Sequence, residues 1–196
     1  MTPVTVVQGT MMPLDRADVD TDQIMPKQFL KRIERTGFGE FVFFDWRQDP
    51  DFVLNAPQHQ GATILVTGPN FGSGSSREHA PWGLHQYGFD AILAPSFADI
   101  FKSNCAKIGL LCVELPEKVC RALADLATEE PDTECVVDLP IQNVTAGEID
   151  QDFDFDAHTK HMLTNGLDQI GLTLERDAEI AAFEAARPSF MPVTRS

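Results

Sequence analysis

Short apolar runs alternate with helix-length segments between residues 62 and 129, and this alternation restricts the fold more than any other feature. The runs at 63–67, 91–94 and 110–115 are rich in Ile, Leu, Val or Ala and are too short for helices. Between and after them lie segments predicted as helices that end at Tyr87, span 97–107 and span 117–129. Strands separated by helices of about a dozen residues favour parallel pairing, so the sequence predicts an α/β fold.

The flanking regions extend this prediction to one domain over residues 1–196. We expect strands at 4–7, 133–139 and 150–156, a polar loop at 14–24, and short helices with loop at 26–45. His158 and His161 lie three positions apart in a segment that is expected to be helical. A last helix at 174–186 is typical of amphipathic packing, and 188–196 is expected to be a flexible tail.

Charge excludes several classes of partner. The chain has 15 Lys and Arg against 30 Asp and Glu, a formal net charge of −15. Nucleic acids and anionic membranes attract clustered basic side chains, so neither is expected as a partner. Apolar runs are far shorter than the ~20 residues of a membrane span, and no basic-then-apolar leader precedes the domain. The sequence therefore predicts a cytoplasmic protein.

Metal-ligand patterns are missing from the sequence. Its four cysteines form no C-x-x-C pair and have no histidine at zinc-ligand spacing, so we expect buried, reduced thiols. The five histidines are scattered. Acidic segments at 18–22 and 150–154 resemble the opening of a calcium loop, but both lack the glycine and glutamate that such a loop needs. We therefore predict no metal site on this chain, and a strand with solvent-facing acids at 150–156.

The segment 68–79 is rich in Gly and Ser and lies between a predicted strand and a predicted helix. It fails the templates of a phosphate-binding Walker loop, a dinucleotide fingerprint and a hydrolase nucleophile elbow. What remains is two hydroxyls, Ser75 and Ser76, beside the guanidinium of Arg77, which suits a carboxylate ligand. Alternatively, Ser75 and Glu78 form a helix capping box with no ligand, although Pro81 weakens that interpretation.

Four segments together resemble a known family. They are 18–30 (DVDTDQIMPKQFL), 68–82 (GPNFGSGSSREHAPW), 97–107 (FADIFKSNCAK) and 165–172 (NGLDQIGL). This combination resembles the small subunits of 3-isopropylmalate dehydratases, in the aconitase superfamily, and the likeness spans about residues 4–175. Ile108 and Cys112 depart from the pattern, where Asn and Pro are expected.

The resemblance implies a swivelling β/β/α domain like the last domain of aconitase. It also implies a separate large subunit whose own cysteines hold a [4Fe-4S] cluster, with no cofactor on this chain. The implied reaction interconverts 2-isopropylmalate and 3-isopropylmalate through 2-isopropylmaleate, in leucine biosynthesis. The expected ligand is thus a small dicarboxylate.

Site residues follow from the same resemblance. Ser75 matches the serine that acts as general base, Arg77 the arginine that binds a substrate carboxylate, and Ser76 a supporting hydrogen-bond donor. Thr21 and Asp22, with Asp20, match a loop near the site without assigned roles. Phe29 and Leu30 fall where the family selects its substrate, and we expect them to contact the isopropyl group.

Several alternatives stay open at this stage. Relatives acting on homoaconitate or on citramalate and citraconate share the Ser-Ser-Arg loop, so the substrate could be another acid. A module that binds anions and assembles without catalysis is a second alternative, and a self-contained hydrolase is a third that the missing elbow disfavours. The Phe-rich segment 38–46 is either a docking surface for the large subunit or part of the core.

Overall fold

Seven strands form one mixed sheet in the computed structural model, which describes residues 1–31, 36–75 and 77–188. In chain order the strands are β1 (Val6–Leu14), β2 (Ile64–Thr67), β3 (Ala91–Ala94), β4 (Leu111–Glu114), β5 (Glu134–Asp138), β6 (Asn143–Ala146) and β7 (Ile149–Asp152). Their order across the sheet is β4-β3-β2-β1-β5-β6-β7. The sheet has a parallel half and an antiparallel half that meet at β1.

Helices connect the strands of the parallel half. The α-helices are α1 (Thr21–Ile24), α2 (His79–Tyr87), α3 (Asp99–Ile108), α4 (Glu117–Glu129), α5 (Ala157–Thr164), α6 (Gln169–Leu174) and α7 (Asp177–Ala186). Short 3-10 helices lie at Lys27–Lys31, Gly39–Phe41, Trp46–Gln48, Val53–Asn55 and Pro57–His59. The predicted mixture of short helices and loop after residue 26 is confirmed for the described residues.

Register shows how the two halves are joined. Met11 of β1 pairs in parallel with Ile64, which pairs with Ala91, which pairs with Leu111. On its other side β1 runs antiparallel to β5, with Val7 opposite Val137. The α2 and α3 crossovers reverse the chain between parallel strands, as the alternating pattern predicted.

The core has two parts, one on each face of the sheet. One face buries Leu65 and Ile92 against α2, α3 and the 3-10 helices. The other buries Ile64 and Val113 against Leu123 of α4. Adjacent residues of one strand point to opposite faces, so both parts draw on the same short strands. This explains why these strands read as continuous apolar runs.

Several element boundaries differ from the sequence expectation. β1 extends to Leu14 and starts at Val6 rather than Val4, and β6 was not predicted. The predicted final helix at 174–186 is α7, which begins at Asp177, and α6 was not predicted. Neither helix has a buried residue, so the amphipathic packing expected for the final helix is wrong within the described residues. The residues 189–196 of the expected flexible tail lie outside the described residues.

The Phe-rich segment 38–46 belongs to the core. Phe38, Val42 and Phe43 are fully buried, and the ring of Phe43 stacks on Trp46 with centroids 5.2 Å apart. The alternative of core packing is therefore the one that the structure supports for this segment. None of the helices within the described ranges combines the length and apolar character needed to cross a membrane.

All four cysteines are buried free thiols. Burial raises the pKa of Cys120 and of Cys135 to about 12, and burial beside Cys112 raises the pKa of Cys105 well above its usual value. Thiols in this state are poor nucleophiles. The sequence prediction of buried thiols is thus confirmed, and their reduced state stays a prediction. Within the described ranges, no three His, Cys, Asp or Glu side chains are grouped closely enough to hold a metal ion.

Candidate active site

Two loops meet at the carboxyl end of the parallel strands and form the core of the site. The amides of Gly72 and Ser73 donate to the carbonyl of Val19 at 2.8 and 3.2 Å. The amide of Thr21 donates back to the carbonyl of Ser73 at 2.8 Å. A side-chain bond of 2.8 Å from Asn70 to Asp18 fastens the same pair of loops. These hydrogen bonds therefore hold the acidic loop at residues 18–22 and the Gly/Ser loop at residues 68–79 together.

Gly72 allows the Gly/Ser loop to pack closely on α3. Its φ of +77° lies in the left-handed region, and a Cβ there would overlap the ring of Phe101. Only glycine satisfies both conditions without strain. The loop thus reaches the start of α3 because position 72 has no side chain.

Asp20 and Thr21 shape the acidic loop. The carboxylate of Asp20 caps α1 by accepting from the amides of Asp22 and Gln23 at 2.7 and 2.9 Å, and Gln23 accepts from the amide of Asp20 in return. This reciprocal pair is a capping box. Thr21 is buried, and its hydroxyl donates to the carbonyl of Ser75 at 3.0 Å. Thr21 therefore fixes the backbone of Ser75.

Arg77 lies at the centre of a polar chain. Its Nη1 forms an ion pair with Oδ1 of Asp22, and its Nη2 donates to the hydroxyl of Ser75 at 3.4 Å. The second oxygen of Asp22 lies 3.2 Å from the ammonium of Lys27. Ser75 itself is exposed, whereas the Arg77 side chain is only 19% exposed. The arrangement therefore places the anchored guanidinium of Arg77 beside the exposed residue Ser75.

The hydroxyl of Ser75 opens into a shallow cleft of about 240 Å³. Thr21, Gly72 and Gly74 form one wall, and residues 98–101 at the start of α3 form the other. The first amides of a helix have no acceptors within the helix and carry partial positive charge. Together with Arg77, they favour an anion such as a carboxylate in the cleft, whereas the carboxylate of Asp99, which also lines it, opposes one.

The surroundings of His79 disfavour a positive charge on its ring. Burial, the largest effect, lowers its pKa; Glu78 acts in the opposite direction, and Arg77 lowers the pKa further. Its ring packs against Phe38 and Trp82. The cationic character of the loop therefore rests on Arg77.

The structure brings together some of the residues predicted from sequence. Thr21, Asp22, Ser75 and Arg77 lie in one contiguous network, whereas Ser76 falls outside the described residues. Phe29 and Leu30 are half-buried on the 3-10 helix Lys27–Lys31 and pack against the core, with Phe29 stacked on Phe41 at 4.1 Å. Neither lines the cleft at Ser75.

Residues 98–101 form a wall of the site that the sequence did not predict, although they belong to a segment that resembles the family. Their place in the cleft depends on the contact between Phe71 and the start of α3, where the amide of Ala98 donates to the carbonyl of Phe71 at 3.0 Å. The sequence signal that could have predicted this wall is the short connection between the end of β3 at Ala94 and the start of α3 at Asp99. The strand predicted at 150–156 is too long, because β7 ends at Asp152 and Asp156 caps the start of α5. Within the strand, Asp150 and Asp152 face solvent as predicted and accept from Asn143.

Comparison with known proteins places this geometry in a family. Residues 1–118 match the model of the aconitase C-terminal domain, and 170–193 match the model of the C-terminal domain of the 3-isopropylmalate dehydratase small subunit. The 3-isopropylmalate dehydratase small subunit of Rubrobacter xylanophilus is 53% identical over 192 residues, covering 98% of each chain. The chain belongs to the 3-isopropylmalate dehydratase small-subunit family.

Other members of the family agree with this assignment. The small subunit of Acidothermus cellulolyticus is 50% identical over 196 residues and covers all of both chains. The crystal structure of a 3-isopropylmalate dehydratase from Methanocaldococcus jannaschii shares the fold, with a TM-score of 0.63 at 22% identity, over 90% of this chain and 98% of that one. The predicted family and the α/β fold of the aconitase C-terminal domain are confirmed.

Proposed function

We propose that this chain is the small subunit of a cytoplasmic hydro-lyase that interconverts 2-isopropylmalate and 3-isopropylmalate through 2-isopropylmaleate in leucine biosynthesis. The observation that carries the proposal is the open hydroxyl of Ser75 beside the anchored guanidinium of Arg77. The identity of the substrate is proposed from family membership, because the relatives are named as small subunits of 3-isopropylmalate dehydratase. The reaction removes a proton from one carbon and a hydroxyl from its neighbour.

In this proposal Ser75 is the general base. Its alkoxide takes the proton from the substrate carbon that carries a carboxylate, and it returns that proton when water adds to the double bond. The guanidinium of Arg77 stabilises the alkoxide, because an adjacent positive charge favours the charged form of the hydroxyl. The exposure of Ser75 lets a substrate approach the hydroxyl directly.

Arg77 binds a substrate carboxylate, and Asp22 positions Arg77. A carboxylate repels a dicarboxylate ligand, so Asp22 acts through the arginine rather than by touching the substrate. Nη2 of Arg77 donates to Ser75, and residues 98–101 at the start of α3 line the same cleft. Ser76 is proposed as a further donor to the substrate, and Phe29 and Leu30 as contacts for its isopropyl group in the assembled enzyme.

A [4Fe-4S] cluster supplies Lewis-acid chemistry on the substrate hydroxyl in this class of enzyme. The described residues of this chain do not fit such a cluster, because their thiols are buried and no set of three metal ligands is grouped among them. The family resemblance supports a cluster on a large subunit, and in this proposal two chains share the active site. This chain contributes the base and the carboxylate clamp.

Mixing the two subunits tests the proposal. The purified chain and the large subunit of the same organism are combined without oxygen, and 2-isopropylmaleate formed from 3-isopropylmalate is followed by its ultraviolet absorbance. We expect turnover in the mixture and none with either chain alone. A complex that leaves this substrate unchanged would contradict the proposed substrate, and turnover by one chain would contradict the shared site.

A further inference from the structure

The helix α7 presents apolar side chains that this chain does not cover. Phe183 is 67% exposed and Ile180 is 38% exposed, one turn apart on the same side of the helix. No residue of α6 or α7 is buried. Isolated helices shorter than about 12–15 residues are marginal in water, so a ten-residue helix of this kind gains its stability from packing. The described part of this chain supplies only a part of that packing, since it leaves Phe183 mostly exposed.

The surface beside α7 continues to the cleft at Ser75. Ile180 and Phe183 border a hollow of about 670 Å³ between α5 and α6–α7. His158 and Gln169 line both this hollow and a groove of about 340 Å³ between α3 and α5. Asp99 lines both that groove and the Ser75 cleft. Three depressions therefore form one continuous strip, which we call the α3–α7 face.

An exposed apolar residue also marks the other end of this strip. Ile100 lines the cleft and is 54% exposed. Apolar side chains at both ends of a continuous concave strip are typical of a protein contact surface, where buried aromatic and aliphatic anchors contribute most of the affinity. The α3–α7 face thus has the character of an interface rather than of a small-molecule pocket.

Position and charge distinguish between the partners that could cover this face. A chain that completes the Ser75 cleft must lie against its mouth, and it therefore meets Ile100 and the strip that leads away from it. A second copy of this chain would bring two net charges of −15 together and would be opposed by electrostatic repulsion. Continuity with the cleft favours the large subunit.

We infer that the α3–α7 face is the docking surface for the large subunit, with Phe183 and Ile180 of α7 as anchors distant in sequence from the catalytic loop. This inference rests on the proposed function, because it takes the large subunit to be the chain that completes the site. On docking, α7 packs against the partner and the partner closes the cleft over Ser75.

Charge substitution on α7 tests this inference in the assembled enzyme. Phe183→Asp and Ile180→Asp place a carboxylate on the anchors, and Ile141→Asp is the matched control. Ile141 is 70% exposed on the β5–β6 turn and lies outside all three depressions. We measure the dissociation constant for the large subunit, the thermal unfolding midpoint of the isolated chain, and turnover while titrating the large subunit to saturation.

We expect Phe183→Asp and Ile180→Asp each to raise the dissociation constant at least about tenfold, with an unchanged unfolding midpoint and with native turnover at saturation. The dissociation constant of Ile141→Asp for the large subunit should lie within about twofold of the native value, because substitutions at surface sites outside an interface have small effects. Native affinity in both α7 variants would overturn the inference. The inference would also be overturned if the native chain self-associated through α7 and Phe183→Asp left the affinity for the large subunit unchanged. Failure of the native chain to bind the large subunit would instead count against the proposed function itself.

Discussion

Arg77 contacts Asp22 through Nη1 and the hydroxyl of Ser75 through Nη2, although Asp22 and Arg77 are 55 positions apart in the sequence. The two residues come from separate loops that are joined by backbone bonds around Val19 and Ser73. One guanidinium therefore connects the acidic loop to the exposed hydroxyl. Its planar fork holds both partners at once, a geometry that a lysine ammonium cannot reproduce.

Replacing Arg77 by lysine tests the need for this fork. Arg77→Lys keeps the charge but cannot hold Asp22, Ser75 and a substrate carboxylate together, so we expect kcat/KM to fall about 10- to 100-fold. Steady-state kinetics of the reconstituted enzyme measure the loss. Arg121→Lys, on the exposed side of α4, is the matched control and should leave kcat/KM unchanged. Native kinetics in Arg77→Lys would show that a positive charge at position 77 is sufficient and that the guanidinium fork is not required.

Removing the hydroxyl of Ser75 tests the general base. Ser75→Ala should lower kcat by about 10²- to 10⁴-fold, the range that positioned acid–base catalysis contributes. Affinity for the large subunit should stay native, because Ser75 is exposed and its backbone is held by Thr21. Single-turnover measurements on the purified complex separate chemistry from assembly.

Ser73→Ala is the control for that experiment. Ser73 lies in the same loop, but its backbone, rather than its side chain, makes the bonds to Val19 and Thr21. We expect native turnover in this variant. Equal loss in the two alanine variants would mean that the loop is disturbed and would argue against Ser75 as the base.

The fold was predictable where local pattern and packing agree. The strands at 64–67 and 91–94 are buried on both faces, so their residues read as apolar runs, and α4 was predicted with the bounds that it has. β6 was missed because its alternating residues become a strand only between β5 and β7. α6 was missed because it is only six residues long and buries none of them, so no apolar face marks it in the sequence.

The site was predictable only in part for a similar reason. Ser75 and Arg77 are neighbours in sequence and were predicted from the loop itself. The pairing of Arg77 with Asp22 depends on how two loops dock, and the wall at residues 98–101 depends on the contact of Phe71 with the start of α3. Long-range docking of this kind leaves little signal in local sequence.

Gly72 offers a test of the close contact between the Gly/Ser loop and α3. Gly72→Ala combines a left-handed φ of +77° with a Cβ that would overlap the ring of Phe101. We expect the free energy of unfolding to fall by about 2–4 kcal/mol, the sum of backbone strain and overpacking. Denaturant unfolding of the isolated chain gives this value.

Gly61→Ala separates the two contributions. Gly61 has a similar φ of +83°, but a Cβ there has no heavy atom within 4 Å, so only backbone strain remains. A loss of about 1 kcal/mol is expected for this variant. Equal losses at positions 61 and 72 would show that the contact with Phe101 contributes nothing to stability.

The buried thiol of Cys135 predicts a loss of stability at alkaline pH. Burial raises its pKa from the ordinary value of 9.0 to about 12 in the folded chain. Below pH 9 the thiol is protonated in both states and no effect is expected. Between pH 9 and 12 the unfolded chain loses the proton while the folded chain keeps it, so the free energy of unfolding falls by about 1.4 kcal/mol per pH unit from this group.

Denaturant unfolding of native chain and Cys135→Ala between pH 8 and 11 measures this contribution. Other groups also titrate in this range, so the difference between the two slopes is the informative quantity. Cys135→Ala should have a shallower slope by about 1.4 kcal/mol per pH unit above pH 9. Val137→Ala, at a buried position on the same strand, is the control: its stability should be lower at every pH with the native slope. A native slope in Cys135→Ala would mean that Cys135 ionises in the folded chain as readily as in the unfolded one.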